Sequence, residues 1–376
     1  MKKLLTFALA AIMAFSLFLT GCAGSGDKKQ EAGKDGGTAN KEKLKVVCLL
    51  NGNLGDKSFF DSANNGMNLI KEKLGYEVKT IEMGYDKTKW KPTLQDVSDQ
   101  DYDVIVVGTW EMKENLEEVA PQYKDKKYII FDTSVDYSKG DLSNVYSIEY
   151  KQNEGSFIAG ALASKVTTSK MPFANPEKKI GFLGGMDTPI INDFLVGYIQ
   201  GAKYIDKDVK VAISYIGDFE NSAKGKEMAL AQYNQGVDIG FNVAGQAGLG
   251  QLDAAKDSKK YAIGVDSDQA MLFKDKDAAK AELIPTSLLK RVDNSLLRAL
   301  ELMKDNKLEY GKKEVLGLKE KAMEVVENEF YNKLISEDLR KEMKTIEDKI
   351  VKGEIKVDTA YGMKTDDLNK LRNSVK

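Results

Sequence analysis

The feature that most restricts this chain is a repeated alternation. A short apolar run bounded by turn residues is followed by a helical stripe, and then by the next apolar run. Apolar runs of this kind read as strands covered on both faces, and their alternation with helices makes right-handed βαβ units around a mostly parallel sheet. Residues 44–75 set the pattern: a strand over 44–50, a glycine-containing loop, then Phe60, Ala63, Met67, Ile70 and Leu74 on one helical face. Ser58 with Asp61 three residues on predicts a capping box that starts this helix near Phe59.

Strands are expected next at 77–82, 103–108, 127–132 and 145–150, with a helical or irregular stretch around Trp90 and Pro92. The pattern then restarts, with helices at 155–165, 194–202, 223–233 and 249–256. Strands fall between them at 179–185, 209–216, 237–245 and 261–266. A strand-like segment at 282–287, a helix at 293–304 and a charged, largely helical tail complete the chain. The expected architecture is α/β: two doubly wound, mostly parallel sheets in tandem, with a ligand cleft between the lobes.

Composition narrows the function. The 56 basic and 58 acidic residues nearly cancel, so no overall field favours nucleic acid. The chain has no histidine, which removes the commonest general base and most zinc-enzyme ligand sets. No cofactor is expected. At the start, Lys2 and Lys3 precede a nearly continuous apolar run over 4–19, shorter than a comfortable membrane span. The run ends in Leu19-Thr20-Gly21-Cys22, which resembles the bacterial lipobox and implies cleavage before Cys22 and a lipid on its sulfur. An ordinary secretory signal ending in cysteine is the alternative. Residues 23–43 read as a disordered tether with a reach of roughly 25 Å. The expected location is therefore the extracytoplasmic face of the cell membrane. Cys48, inside the first strand, reads as a core thiol.

The glycine-rich spots are not nucleotide motifs. In residues 217–226 and the residue that follows, Glu220 and Glu227 stand where a P-loop needs glycine and Ser/Thr, and the spacing of Gly245, Gly248 and Gly250 is not that of a dinucleotide fingerprint. Close helix packing, or backbone N–H groups facing a ligand, fits the second cluster better. What remains is a set of residues at strand ends: Asn51, Phe59, Trp110, Asp132, Phe219, Asp266 and Lys290. Each alone has an ordinary explanation as core, cap or solvated charge. Together, aromatic faces suit a flat ring, carboxylates accept from sugar hydroxyls, an amide meets a base edge, and a lysine fixes a carboxylate's ionisation. No nucleophile–base pair is evident, so binding is favoured over catalysis.

At these residues a family resemblance appears. Gly55-Asp-Lys-Ser-Phe59, Glu154-Gly-Ser-Phe-Ile-Ala-Gly-Ala161 and Gly181-Phe-Leu-Gly-Gly185 resemble the basic membrane protein family, substrate-binding lipoproteins of nucleoside ABC transporters. So do Asp218-Phe219, Gly236-Val-Asp238, Ala244-Gly245, Gly264-Val-Asp-Ser-Asp268 and Thr286-Ser-Leu-Leu-Lys290, in order along residues 44–360. The resemblance implies a bilobed type I periplasmic-binding-protein fold with three crossovers, and lobes of 44–150 plus 285–308 and of 151–284 plus 309–376. It implies that Phe59 and Phe219 stack on a base, Asn51 meets its edge, Asp132, Asp266 and Lys290 hold the ribose, and Gly245 offers backbone. The implied partners are a nucleoside-like small molecule, purine nucleosides first, an ABC permease with its ATPase, and the membrane through Cys22; the receptor is expected to be a monomer.

Two residues depart from the pattern: Leu50 stands where many members carry an acid, and Phe60 where many carry asparagine. Two other readings remain: a sensory receptor without a transport role, and a nucleoside hydrolase using Asp132 or Asp266 with a bound metal.

Overall fold

The computed structural model describes residues 43–376, which form one compact unit. The expected signal segment, the Cys22 attachment site and nearly all of the expected tether lie outside the described residues. Strands β1 (Lys45–Leu50), β2 (Glu77–Glu82), β3 (Val104–Gly108), β4 (Lys127–Phe131) and β5 (Val145–Tyr150) open the chain, each pair linked by helical or loop segments. Strands β6 (Lys179–Gly184), β7 (Lys210–Tyr215), β8 (Val237–Val243), β9 (Tyr261–Val265) and β10 (Ser287–Lys290) follow, then β11 (Lys312–Leu316) and β12 (Met323–Val325). They make two six-stranded sheets, ordered β11-β5-β4-β3-β1-β2 and β12-β10-β9-β8-β6-β7. Every pairing is parallel except β10 with β12. The chain is thus α/β with two doubly wound lobes.

The apolar runs are continuous because both faces of each sheet are covered. Along β1, Val46, Cys48 and Leu50 enter one core while Val47 and Leu49 enter another. In β3, Val104 and Val106 share the first core, and Ile105 and Val107 the second. Cys48 is fully buried and burial pushes its thiol up to about 12, as befits core packing. In the second lobe, helices Gln152–Thr167 and Pro189–Ile205 pack backbone to backbone. A Cβ at Gly201 would stand 1.8 Å from the Phe157 carbonyl oxygen, and one at Gly160 would stand 2.0 Å from that of Tyr198. Glycine at these positions permits the contact.

Some expectations change. Ser58 precedes the helix Phe59–Leu74 but makes no side-chain cap bond. Asp56 caps instead, accepting from the backbone N–H groups of Ser58, Phe60 and Asp61 at 3.0, 2.8 and 3.1 Å. The strand-like segment at 282–287 is displaced to Ser287–Lys290, because Pro285 has no N–H for a ladder and a turn closing the helix Ala278–Ala281 occupies residues 282–283. The sheets also divide the two late segments differently from the expected partition. β10 belongs to the second sheet, and helix Val292–Lys304 packs on helix Phe59–Leu74 of the first lobe, with Asn65 Nδ2 donating to Asp293 Oδ2 at 3.1 Å. β11, within the tail, pairs with β5 in the first sheet. The chain therefore crosses between sheets after Tyr150, after Lys290 and after Leu316.

Candidate functional site

Parallel strands all point their carboxyl ends the same way, so the residues following them gather along the cleft. Asn51 follows β1, Thr109 and Trp110 follow β3, and Asp132 follows β4. Across the cleft, Phe219 lies beyond β7, Gly245 beyond β8 and Asp266 just after β9, while Lys290 ends β10. Three of these non-glycine residues hold left-handed backbones: Thr109 at φ 69°, Asp132 at φ 67° and Asp266 at φ 61°. Such conformations cost about 1–3 kcal/mol each and cluster where function requires them. They turn the chain sharply at the strand end and leave the side chain over the cleft.

A cavity of about 250 Å³ lies between the lobes, and all eight residues expected to bind ligand line it: Asn51, Phe59, Trp110, Asp132, Phe219, Gly245, Asp266 and Lys290. The glycine cluster divides its labour. Gly245, at φ 54°, borders the cavity. Gly250 permits helix packing, since a Cβ there would stand 2.0 Å from the Ser222 carbonyl oxygen.

The aromatic parts come from both lobes. Phe59 rests against Phe131, with ring centroids 5.5 Å apart, and meets Phe60 edge-on at 5.4 Å. Phe219 covers Gly185, where a Cβ would come within 2.3 Å of its ring. Trp110 sits at the rim, 40% exposed, with Lys87 Nζ 5.8 Å from its ring centroid.

The polar end centres on Lys290. Its Nζ donates to Asp132 Oδ1 at 2.6 Å, and both residues are buried. The rings of Phe194, Tyr150 and Phe59 surround this ammonium at 4.9, 5.5 and 5.7 Å. Burial raises the Asp132 carboxyl above its ordinary range, against the pull of Lys290. Burial also pushes Asp266 up to about 6, opposed by Lys290 and by Ser58, whose Oγ donates to Asp266 Oδ2 at 2.6 Å. Freed from capping by Asp56, Ser58 thus spans the cleft. Ser267 Oγ donates to the Ser58 carbonyl at 3.2 Å, and Gln269 Nε2 to that of Lys57 at 3.1 Å. Two carboxylates around one lysine leave acceptor capacity for ligand hydroxyls.

Several cavity residues were not anticipated. Phe194 lies on the apolar stripe of helix Pro189–Ile205 and reads in sequence as core. Tyr85 and Thr109 follow β2 and β3 as ordinary loop residues. The signal that could have drawn attention to Thr109 is its place in the same post-strand position as Asp132 and Asp266.

This architecture and its cleft define the class of solute-binding proteins. The fold superposes on an ABC transporter solute-binding protein from Aeropyrum pernix K1 with a TM-score of 0.76 and 26% identity, covering 88% of this chain and 98% of that one. The family model described as ABC transporter substrate-binding protein PnrA-like, Bmp, matches residues 43–359, and the chain belongs to that family. Basic membrane protein A of Borreliella burgdorferi is 31% identical over 92% of this chain and 94% of its own length. The ABC transporter nucleoside-binding protein BmpA of Lactococcus lactis is 29% identical over 83% and 88%.

Proposed function

We propose that the protein is a lipid-anchored extracytoplasmic receptor that closes its lobes around a nucleoside, purine nucleosides first, and delivers it to an ABC permease. The observation that carries this reading is the cleft itself. Phe59 and Phe219 enter one cavity from opposite lobes, beside a polar end built from Asp132, Asp266 and Lys290. A flat base suits the aromatic part, and a ribose diol suits the carboxylates. The name of the Lactococcus lactis relative supports the ligand class. Ligand contacts to both lobes would favour the closed arrangement over an open one. Residues 19–22 support attachment through Cys22.

The test is thermal unfolding of the soluble form beginning after Cys22, refolded to strip any copurified ligand, against nucleosides, free bases and sugars. A nucleoside at a hundredfold over its dissociation constant adds about 2.7 kcal/mol of stability. A shift with sugars alone, or with none of the panel, rejects the nucleoside assignment. Loss of fatty-acid labelling in Cys22→Ala tests the anchor.

A further inference from the structure

We propose that Thr109 is a specificity-determining positioning residue. It turns the Asn51 amide so that its oxygen faces the ligand, and thereby selects bases that carry an N–H donor on the edge meeting Asn51. This deepens the nucleoside reading and rests on it.

The first observation is an unmet hydrogen bond. Asn51 is 2% exposed, and its Nδ2 donates to Thr109 Oγ1 at 2.7 Å. Its Oδ1 is buried and has no partner among the described residues. A buried amide oxygen without a donor is unfavourable, and a ligand N–H removes that deficit. In this arrangement Nδ2 is engaged by Thr109 and Oδ1 points away from that hydroxyl, so Oδ1 is the end of the amide left for a ligand.

The second observation is backbone strain. Thr109 has φ 69° and ψ 153°, a region used almost only by glycine, and a β-branched residue there is an outlier. Glycine would adopt this backbone freely. Threonine adds a hydroxyl, and that hydroxyl's partner is Asn51. The strained geometry is held by Thr109 N–H donating to the Phe131 carbonyl at 3.0 Å and by Met112 N–H donating to the Thr109 carbonyl at 3.2 Å.

The third observation is what surrounds the pair. Leu50 is in the core rather than at the cavity, and the Phe60 ring lies over Gly52, 2.1 Å from where a Cβ would stand. Asp56 is committed to three backbone N–H groups, and Glu111 pairs with Lys87 at 2.5 Å. These neighbours are apolar or engaged, and Glu220, which also lines the cavity near Tyr85, is exposed; Asn51 Oδ1 is therefore the buried acceptor left to read the base.

The experiment compares adenosine, inosine and purine riboside by calorimetry on the refolded soluble protein beginning after Cys22, which retains the whole compact unit. Purine riboside keeps the ring and the sugar but has no N–H on its base. It is expected to bind at least about tenfold more weakly than the tighter of the other two. Thr109→Val, which lacks the hydroxyl, is expected to narrow that ratio to about twofold, and Thr109→Ser to preserve it. Purine riboside binding as tightly as the tighter nucleoside overturns the proposal; so does an undiminished ratio in Thr109→Val, or a collapsed one in Thr109→Ser. The wild-type ratio tests the idea even if the valine variant fails to fold. If none of the three binds, the purine preference falls and this inference with it, while the wider nucleoside panel decides the nucleoside reading. If all three bind equally, the inference alone falls.

Discussion

At one end of the cleft Lys290 pairs with Asp132 and Ser58 with Asp266, each pair joining the two lobes; at the other, the rings of Phe60 and Tyr85 line the cavity together with the Asn51 amide, whose oxygen has no partner among the described residues. The first end is fixed before a ligand arrives, so its energetics are those of a buried ion pair. The second keeps a buried acceptor without a partner among the described residues, which the proposed ligand would supply. Their difference suggests a division of labour in which the charged end governs whether the lobes come together and the aromatic end governs what they close upon.

The largest expected effect breaks the charged end. Lys290→Met leaves Asp132 and Asp266 buried without their cation, and removing one partner of a buried pair typically costs about 3–5 kcal/mol. Denaturant unfolding should show that loss at pH 7 and partial recovery at pH 5, where the carboxyls accept protons; a variant as stable as wild type would show that the pair contributes little.

Asp266 gives the next effect. Its carboxyl titrates at about 6 in the folded protein, above the ordinary unfolded value near 3.9. The folded state therefore binds more protons between those values. The contribution to stability is full below about pH 4 and is lost as pH rises through about 6, by roughly 2–3 kcal/mol. Asp266→Asn should flatten that part of the pH–stability curve. Nucleoside affinity should move the opposite way, rising through the same window, because a ligand hydroxyl donates to the ionised form.

At the aromatic end, Phe59→Ala or Phe219→Ala should weaken nucleoside binding by about 1–3 kcal/mol if each ring stacks on the base. Isothermal titration checks this, and equal affinity would place the base elsewhere. The smallest effect belongs to Trp110. It is 40% exposed at the rim, so Trp110→Ala should change stability by no more than about 0.5 kcal/mol and affinity by less than loss of Phe59 does.

Much of this could be read from the sequence because strand ends in a parallel sheet share one edge. Asn51, Asp132 and Asp266 each follow an apolar run, and that position alone predicts that they face a common crevice. Other features depend on information that local pattern does not hold. The cap moved from Ser58 to Asp56 because the loop bends back far enough for Asp56 to meet three N–H groups, which spacing does not reveal. β11 was hidden in a charged tail because it is an edge strand with four of its five residues partly or fully exposed. The sheet joined by Ser287–Lys290 is set by pairing with Gly264 and Val265, a contact invisible to periodicity. The strain at Thr109 is likewise a property of the turn, not of the residue.

The three crossings between sheets also constrain how such a receptor is made and how it diversifies. β11, the edge of the first sheet, is synthesised after most of the second sheet, and helix Val292–Lys304 arrives only shortly before it. A chain that stops at Tyr150 is therefore not a lobe but a sheet with an open edge and an uncovered face. No single cut in the gene separates the lobes, and exchanging one between relatives requires simultaneous junctions near Tyr150, Lys290 and Leu316. Substitution at a strand end, by contrast, changes one cleft-lining side chain while both sheets stay intact.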